Sequence, residues 1–150
     1  MNPDVPLSSD PALWERVQRS FERQGLMIHL GARLVGVQAG QVEIELPYSE
    51  RVTQQQGGFH GGAIGALADI SAGYAALTVA GPEFEVTTVE YKINFLAASQ
   101  GGRLLARGEV VRSGRRVIVA SARVVHVDPQ GQTADCALMQ ATIAPVPKTY

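Results

Sequence analysis

The sequence predicts an α+β fold in which one curved antiparallel β-sheet wraps around a single long central helix, preceded by an N-terminal helix. Three observations carry this. Residues 63–80 are rich in Ala, Leu and Ile, good helix formers, and their apolar and small side chains lie all round rather than on one stripe. Such a helix needs cover on most sides. Four strand-like runs follow it, about residues 84–96, 103–111, 116–128 and 133–143, joined by short turns that imply antiparallel pairing. The element order reads α, β, β, long α, β, β, β, β.

Each element has a local reason. The first eight or so residues, with Pro3 and Pro6, are expected to be loosely ordered. Asp10-Pro11 then reads as an N-cap followed by proline at the first helical position. Trp14, Val17 and Phe21 share one helix face, and Gly25 reads as its end. A strand is expected from residue 26 to about 37, then a turn at Gln38-Ala39-Gly40. Residues 41–46 alternate, with Val42, Ile44 and Leu46 on one face and Gln41, Glu43 and Glu45 on the other, so a half-buried hairpin arm is predicted. Gly81-Pro82 stops the long helix. In the next strand Phe84 and Val86 are even-numbered, but Val89, Tyr91, Ile93 and Phe95 are odd. The phase slips at Thr87-Thr88, which predicts a β-bulge. Gly101-Gly102, Ser113-Gly114 and Pro129-Gln130-Gly131 supply the remaining turns.

Composition narrows the function classes. At 150 residues, with no linker or repeat, the chain reads as a single domain, 1–150, with its core at about 25–145. Thirteen basic against 14 acidic residues give a net charge of −1, which argues against nucleic-acid binding. One cysteine, Cys136, leaves no disulfide framework, and His29, His60 and His126 are dispersed, so no metal site is predicted. Residues 62–80 carry Asp69 at their centre and make a poor membrane span. The first residues lack a basic and apolar leader pattern, and the expected location is the cytoplasm.

Two features point to chemistry. Asp69 is the only charged residue between Gly61 and Pro82, and an unpaired carboxylate in a buried helix either shifts its pKa or serves a function. Gly57-Gly58-Phe59-His60-Gly61-Gly62 places bare backbone N–H groups at the helix start, where they can hold an oxyanion. It is not a phosphate loop, since no Gly-Lys-Ser/Thr follows. Gly61 and Asp69 are separated by roughly 12 Å of helix at ~1.5 Å per residue. One helix cannot easily bring both to one carbonyl, so a two-fold dimer with shared sites is expected.

Residues 54–76, QQQGGFHGGAIGALADISAGYAA, resemble the signature of hotdog-fold acyl-CoA thioesterases of the phenylacetic-acid-degradation type. The pattern is His60-Gly61-Gly62, Asp69 eight residues after the first of these glycines, and the small-residue tail Gly73-Tyr74-Ala75-Ala76. The resemblance implies a hotdog fold and hydrolysis of an aryl- or medium-chain acyl-CoA without metal or prosthetic group, CoA being part of the substrate. It implies Asp69 as nucleophile or general base, the Gly61 N–H as oxyanion hole, and His60 as support for that turn. Gln54 would orient the thioester or water, with Gln55 an alternative, and Thr88 would position the hydrolytic water, with Thr87 an alternative. Ser113-Gly114-Arg115-Arg116 resembles the family's hairpin turn at the nucleotide end of CoA. Arg103, Arg112, Gly114, Arg115 and Arg116 are the expected CoA contacts, in a stretch of net +5 from residue 103 to 123. Arg107 and Arg123 are expected to be a solvated strand face. The resemblance also suggests that two dimers pair into a tetramer. Two rival functions stay open: a hotdog hydratase or dehydratase on acyl thioesters, and a non-enzymatic acyl-CoA-binding sensor.

Overall fold

A computed structural model describes residues 7–150 of the chain. The looseness expected of the first eight residues falls mostly outside these. Helix α1 spans Pro11–Phe21, and Asp10 caps it, its carboxylate accepting from the N–H groups of Ala12 and Leu13. Val17 and Phe21 are buried and Trp14 is half-buried, as the spacing predicts.

The expected strand from residue 26 is corrected. Gly25–Leu30 forms a second short helix, α2, and strand β1 begins only at Arg33 and runs to Gln38. Gly25 therefore opens a helix rather than closing one. Gly31 ends α2 in the left-handed conformation, φ 78°, and its N–H bonds back to Ile28 and Met27. An apolar run of this length fits strand or helix equally, and the glycine that decides it stands after the run.

Strand β2, Gln41–Pro47, is followed by a 3-10 turn at Glu50–Val52 and the central helix α3, Gly61–Leu77. Strands β3, Phe84–Phe95, β4, Arg103–Ser113, β5, Ile118–Val127, and β6, Thr133–Pro147, complete one antiparallel sheet in the order β1-β2-β4-β5-β6-β3. The helix lies across β2, β3, β4, β5 and β6, and its apolar residues form the core with Val42, Ile44, Leu104, Ala106, Ala120, Val124, Met139 and Ile143. Close approach needs Gly108, where a Cβ would stand 2.0 Å from the Ser71 carbonyl oxygen. Arg16 ties the far end of the helix, donating to the carbonyls of Ala80, Gly81 and Phe84 at 2.8, 2.7 and 3.1 Å.

The bulge is present slightly later than the phase slip suggests. Thr88 pairs with Ile143 and Glu90 with Thr142, which leaves Val89 as the extra residue. Glu43, on the strand face expected to be polar and solvated, is fully buried. It is paired with Arg107, whose Nε donates at 2.8 Å, and accepts from the Leu7 N–H at 2.7 Å.

Candidate active site

The entry to α3 is built by the chain before it. The Phe59 N–H donates to the Ser99 carbonyl at 2.8 Å and the His60 N–H to the Val52 carbonyl at 2.7 Å, which pins the loop beside the end of β3. A helix start leaves its first N–H groups without helical partners. Here the His60 ring Nδ1 accepts from Gly62 at 2.8 Å, and the His60 carbonyl takes Ala63 and Ile64. The Gly61 N–H has no acceptor among the described residues. Gly61 lines a groove of about 370 Å³ with Gln54, Phe59, Phe95 and Leu96. Gln54, not Gln55, lines this groove, and its side-chain oxygen accepts from the Gln56 N–H.

Asp69 stands two turns further along α3, half-buried. Its Oδ1 accepts a 2.7 Å hydrogen bond from the Thr88 hydroxyl. The bulge makes this contact possible. Val86 and Thr88 face α3 on one phase and Tyr91, Ile93 and Phe95 on the other, so without the extra residue Thr88 would face away. Thr87 is exposed on the opposite face. Asp69 and Thr88 line a small cavity of about 80 Å³ with Ser20, Gln24, Gly73 and Tyr74. The grooves at Gly61 and at Asp69 share no lining residue.

At the β4–β5 hairpin, Arg112, Gly114, Arg115 and Arg116 surround a groove of about 420 Å³ with Val117 and Val119. The Gly114 N–H closes the turn on the Val117 carbonyl at 3.0 Å. None of these three arginines has a carboxylate partner among the described residues. Arg103 is not brought to them. It lies at the other end of β4, roughly 30 Å away at ~3.3 Å per residue, and pairs with Glu45 at 3.2 Å. Arg107 and Arg123 are held by Glu43 and Asp135, the latter pair bidentate at 2.7 and 2.6 Å. Among the described residues, no group of three or more His, Cys, Asp or Glu side chains could hold a metal ion.

Two groups at the site had no clear signal in the sequence. Phe95 packs its ring over Gly61, 3.4 Å from where a Cβ would be. Tyr74, which the motif offers only as part of a small-residue tail, lines the Asp69 cavity and bonds to Ser20 on α1.

Comparison with known proteins agrees with this fold. The family described as Thioesterase superfamily matches residues 56–132. A solved thioesterase family protein from Silicibacter pomeroyi is 38% identical, with a TM-score of 0.87, and covers 91% of this chain and 99% of its own. The 1,4-dihydroxy-2-naphthoyl-CoA hydrolase of Listeria monocytogenes is 32% identical over 61% of this chain and 74% of its own. The E. coli PaaI protein, from the phenylacetic acid degradation operon, shares the fold at a TM-score of 0.78 and 20% identity, covering 91% of this chain and 95% of its own.

Proposed function

This chain belongs to the thioesterase superfamily and is a thioester hydrolase, and from that premise we propose that it cleaves an aryl- or medium-chain acyl-CoA to free acid and CoA. The observation that carries the proposal is the Asp69 carboxylate held by Thr88 at 2.7 Å beside a cavity. The Thr88 proton is committed to Asp69, so its oxygen remains an acceptor. A water that donates one hydrogen to the Thr88 oxygen and the other to the free Asp69 oxygen has a lone pair left for the thioester carbon. This supports general-base use of Asp69. As the carbon–oxygen bond forms, Asp69 takes the water's proton. The carbonyl oxygen becomes an oxyanion held by the Gly61 N–H. When the carbon–sulfur bond breaks, the thiolate leaves with that proton as CoA thiol. Gln54 orients the thioester, and His60 holds the turn by capping Gly62.

The two halves belong to different grooves, so the complete site takes Gly61 from one chain and Asp69 from another. The surface that supports pairing is the free edge strand β3, which exposes Val89, Tyr91, Phe95 and Leu96 along and just beyond it. Two dimers then assemble into a tetramer. Arg112, Gly114, Arg115 and Arg116 take the CoA phosphates, with Arg103 outside that cluster. No metal or prosthetic group takes part. No helix among the described residues is long and apolar enough to cross a membrane. We place the reaction in the cytoplasm. The phenylacetic-acid-degradation type rests on the motif at residues 54–76, and the naphthoyl-CoA relative supports an aryl acyl group.

The test is thiol release from a panel of acyl-CoAs in the presence of EDTA. The proposal expects stoichiometric free thiol and acid. A change at the acyl double bond without thiol release would indicate a hydratase, and tight binding without turnover a sensor.

A further inference from the structure

The run Gly57-Gly58-Phe59-His60-Gly61-Gly62 has one buried side chain, Phe59, which is 4% exposed. Its glycines offer no side chain to anchor, so the surroundings of Phe59 decide where this loop stands. The Phe59 ring meets two others edge-on, Tyr48 at 5.3 Å and His126 at 6.2 Å between centroids. The same three residues donate into one segment, 99–102. The Phe59 N–H donates to the Ser99 carbonyl at 2.8 Å, His126 Nε2 to the Gly101 carbonyl at 3.0 Å and the Tyr48 N–H to the Gly102 carbonyl at 3.0 Å. A carbonyl only accepts, so His126 carries its proton on Nε2. The Tyr48 hydroxyl reaches the other way and donates to the Gly57 carbonyl, inside the loop itself. Packing alone asks only for apolar neighbours around Phe59. Here each ring that packs on it is also tied by a hydrogen bond to the loop or to the segment beside it.

We propose that Tyr48 and His126 are positioning residues for the hydrolysis: through Phe59 they hold the Gly61 N–H at the place where the oxyanion develops. The inference rests on the reading of Gly61 as the oxyanion donor. Phe59 stands two residues before Gly61, and His60 between them is fixed at both ends. Its N–H donates to the Val52 carbonyl at 2.7 Å, and its carbonyl accepts from the N–H groups of Ala63 and Ile64, each at 3.0 Å. The Gly61 amide thus takes its place from α3 on one side and from the Phe59 anchor on the other. An oxyanion donor acts at about 2.7–3.1 Å, and a displacement of about 1 Å can cost about 10²-fold in rate. Neither Tyr48 nor His126 lines the groove at Gly61, so both act on the reaction through the loop and not by touching substrate there.

The test is a double-mutant cycle read as kcat and KM for thiol release from one good acyl-CoA substrate. Tyr48→Phe keeps the ring and removes its bond to Gly57, and His126→Phe keeps an aromatic ring and removes the donor to Gly101. Each should lower kcat about tenfold with KM within about twofold, because the Gly61 N–H strengthens its hold only as the oxyanion forms. Gly61→Pro alone should lower kcat by about 10²–10³. Added to Gly61→Pro, Tyr48→Phe should change the residual kcat by less than about twofold, since the group it positions is already gone. A merely structural role would give the same loss in both backgrounds. His126→Phe carries the cycle if Tyr48→Phe does not fold. Unchanged kcat in the folded variants, a rise in KM alone, or an about tenfold loss that persists beside Gly61→Pro overturns the inference and leaves hydrolysis standing. Turnover of Gly61→Pro at the wild-type rate overturns the oxyanion role of Gly61 and this inference with it.

Discussion

Disabling the two halves of the site in separate chains should produce two inactive proteins that rescue each other. Gly61→Pro removes the one N–H at the helix start that has no partner among the described residues, and the local backbone suits it. Gly61 is the first residue of α3, where proline is favoured, and His60 before it has φ −67° and ψ 135°, the extended conformation that precedes proline. The nearest atom to a Cβ there is Phe95 Cζ at 3.4 Å, an ordinary contact. Asp69→Asn keeps an oxygen for the Thr88 hydroxyl but loses the base. In a mixed dimer one site carries both lesions and the other neither. Random exchange makes about half the dimers mixed, each with one good site, so an equal mixture should regain about a quarter of wild-type activity. The assay is thiol release after exchange, with mixed dimers verified by tagging one chain. No recovery despite demonstrated exchange, or full activity in a monomer by light scattering, would refute a site shared between chains.

Three further outcomes are expected. Thr88→Val removes a hydroxyl of nearly the same shape that donates to a carboxylate, a bond worth about 1.5–3 kcal/mol, so kcat should fall about 10- to 100-fold with KM little changed. Equal turnover would place the water elsewhere. Arg115→Ala or Arg116→Ala should raise KM for an acyl-CoA more than for the matching pantetheine thioester, and added salt should weaken binding of the former. Equal effects on both substrates would move these arginines away from the phosphates. Arg107→Met strands the fully buried Glu43 and should cost about 3 kcal/mol or more in urea unfolding, whereas adding Glu43→Met should recover most of it. A silent Arg107→Met would mean that Glu43 finds other partners.

The parts of the site that the sequence made legible are those whose signal lies within one segment. A single charge in an apolar helix marks Asp69, and a glycine-rich run at a helix start marks Gly61. The bulge was also readable, because an inserted residue reverses the apolar phase of its own strand. It stands one residue later than the slip suggested, and that displacement puts Thr88 rather than Thr87 on Asp69. What stayed hidden depends on what crosses over a segment. Alternation puts Glu43 on an outer face but says nothing of the Leu7 segment that lies there. Ser20 of α1 and Gln24 just after it stand 54 and 50 residues before Tyr74, so their bonds to its hydroxyl appear only once this N-terminal segment folds onto the central helix. Helix α2 failed for a different reason: six apolar-rich residues carry too little periodicity to separate strand from helix. The separation of the Gly61 and Asp69 grooves was foreseeable from helix rise alone, since eight residues of α-helix have a fixed length.

The role proposed for Asp69 is to activate the attack on an acyl-CoA thioester. It is tested most directly by steady-state thiol release from one good acyl-CoA substrate, comparing the wild-type protein with Asp69→Asn of matching circular dichroism and assembly. Loss of the base should lower kcat by about 10²–10⁴ with KM little changed, the usual worth of a positioned acid or base. A folded Asp69→Asn protein that turns over like wild type would contradict it.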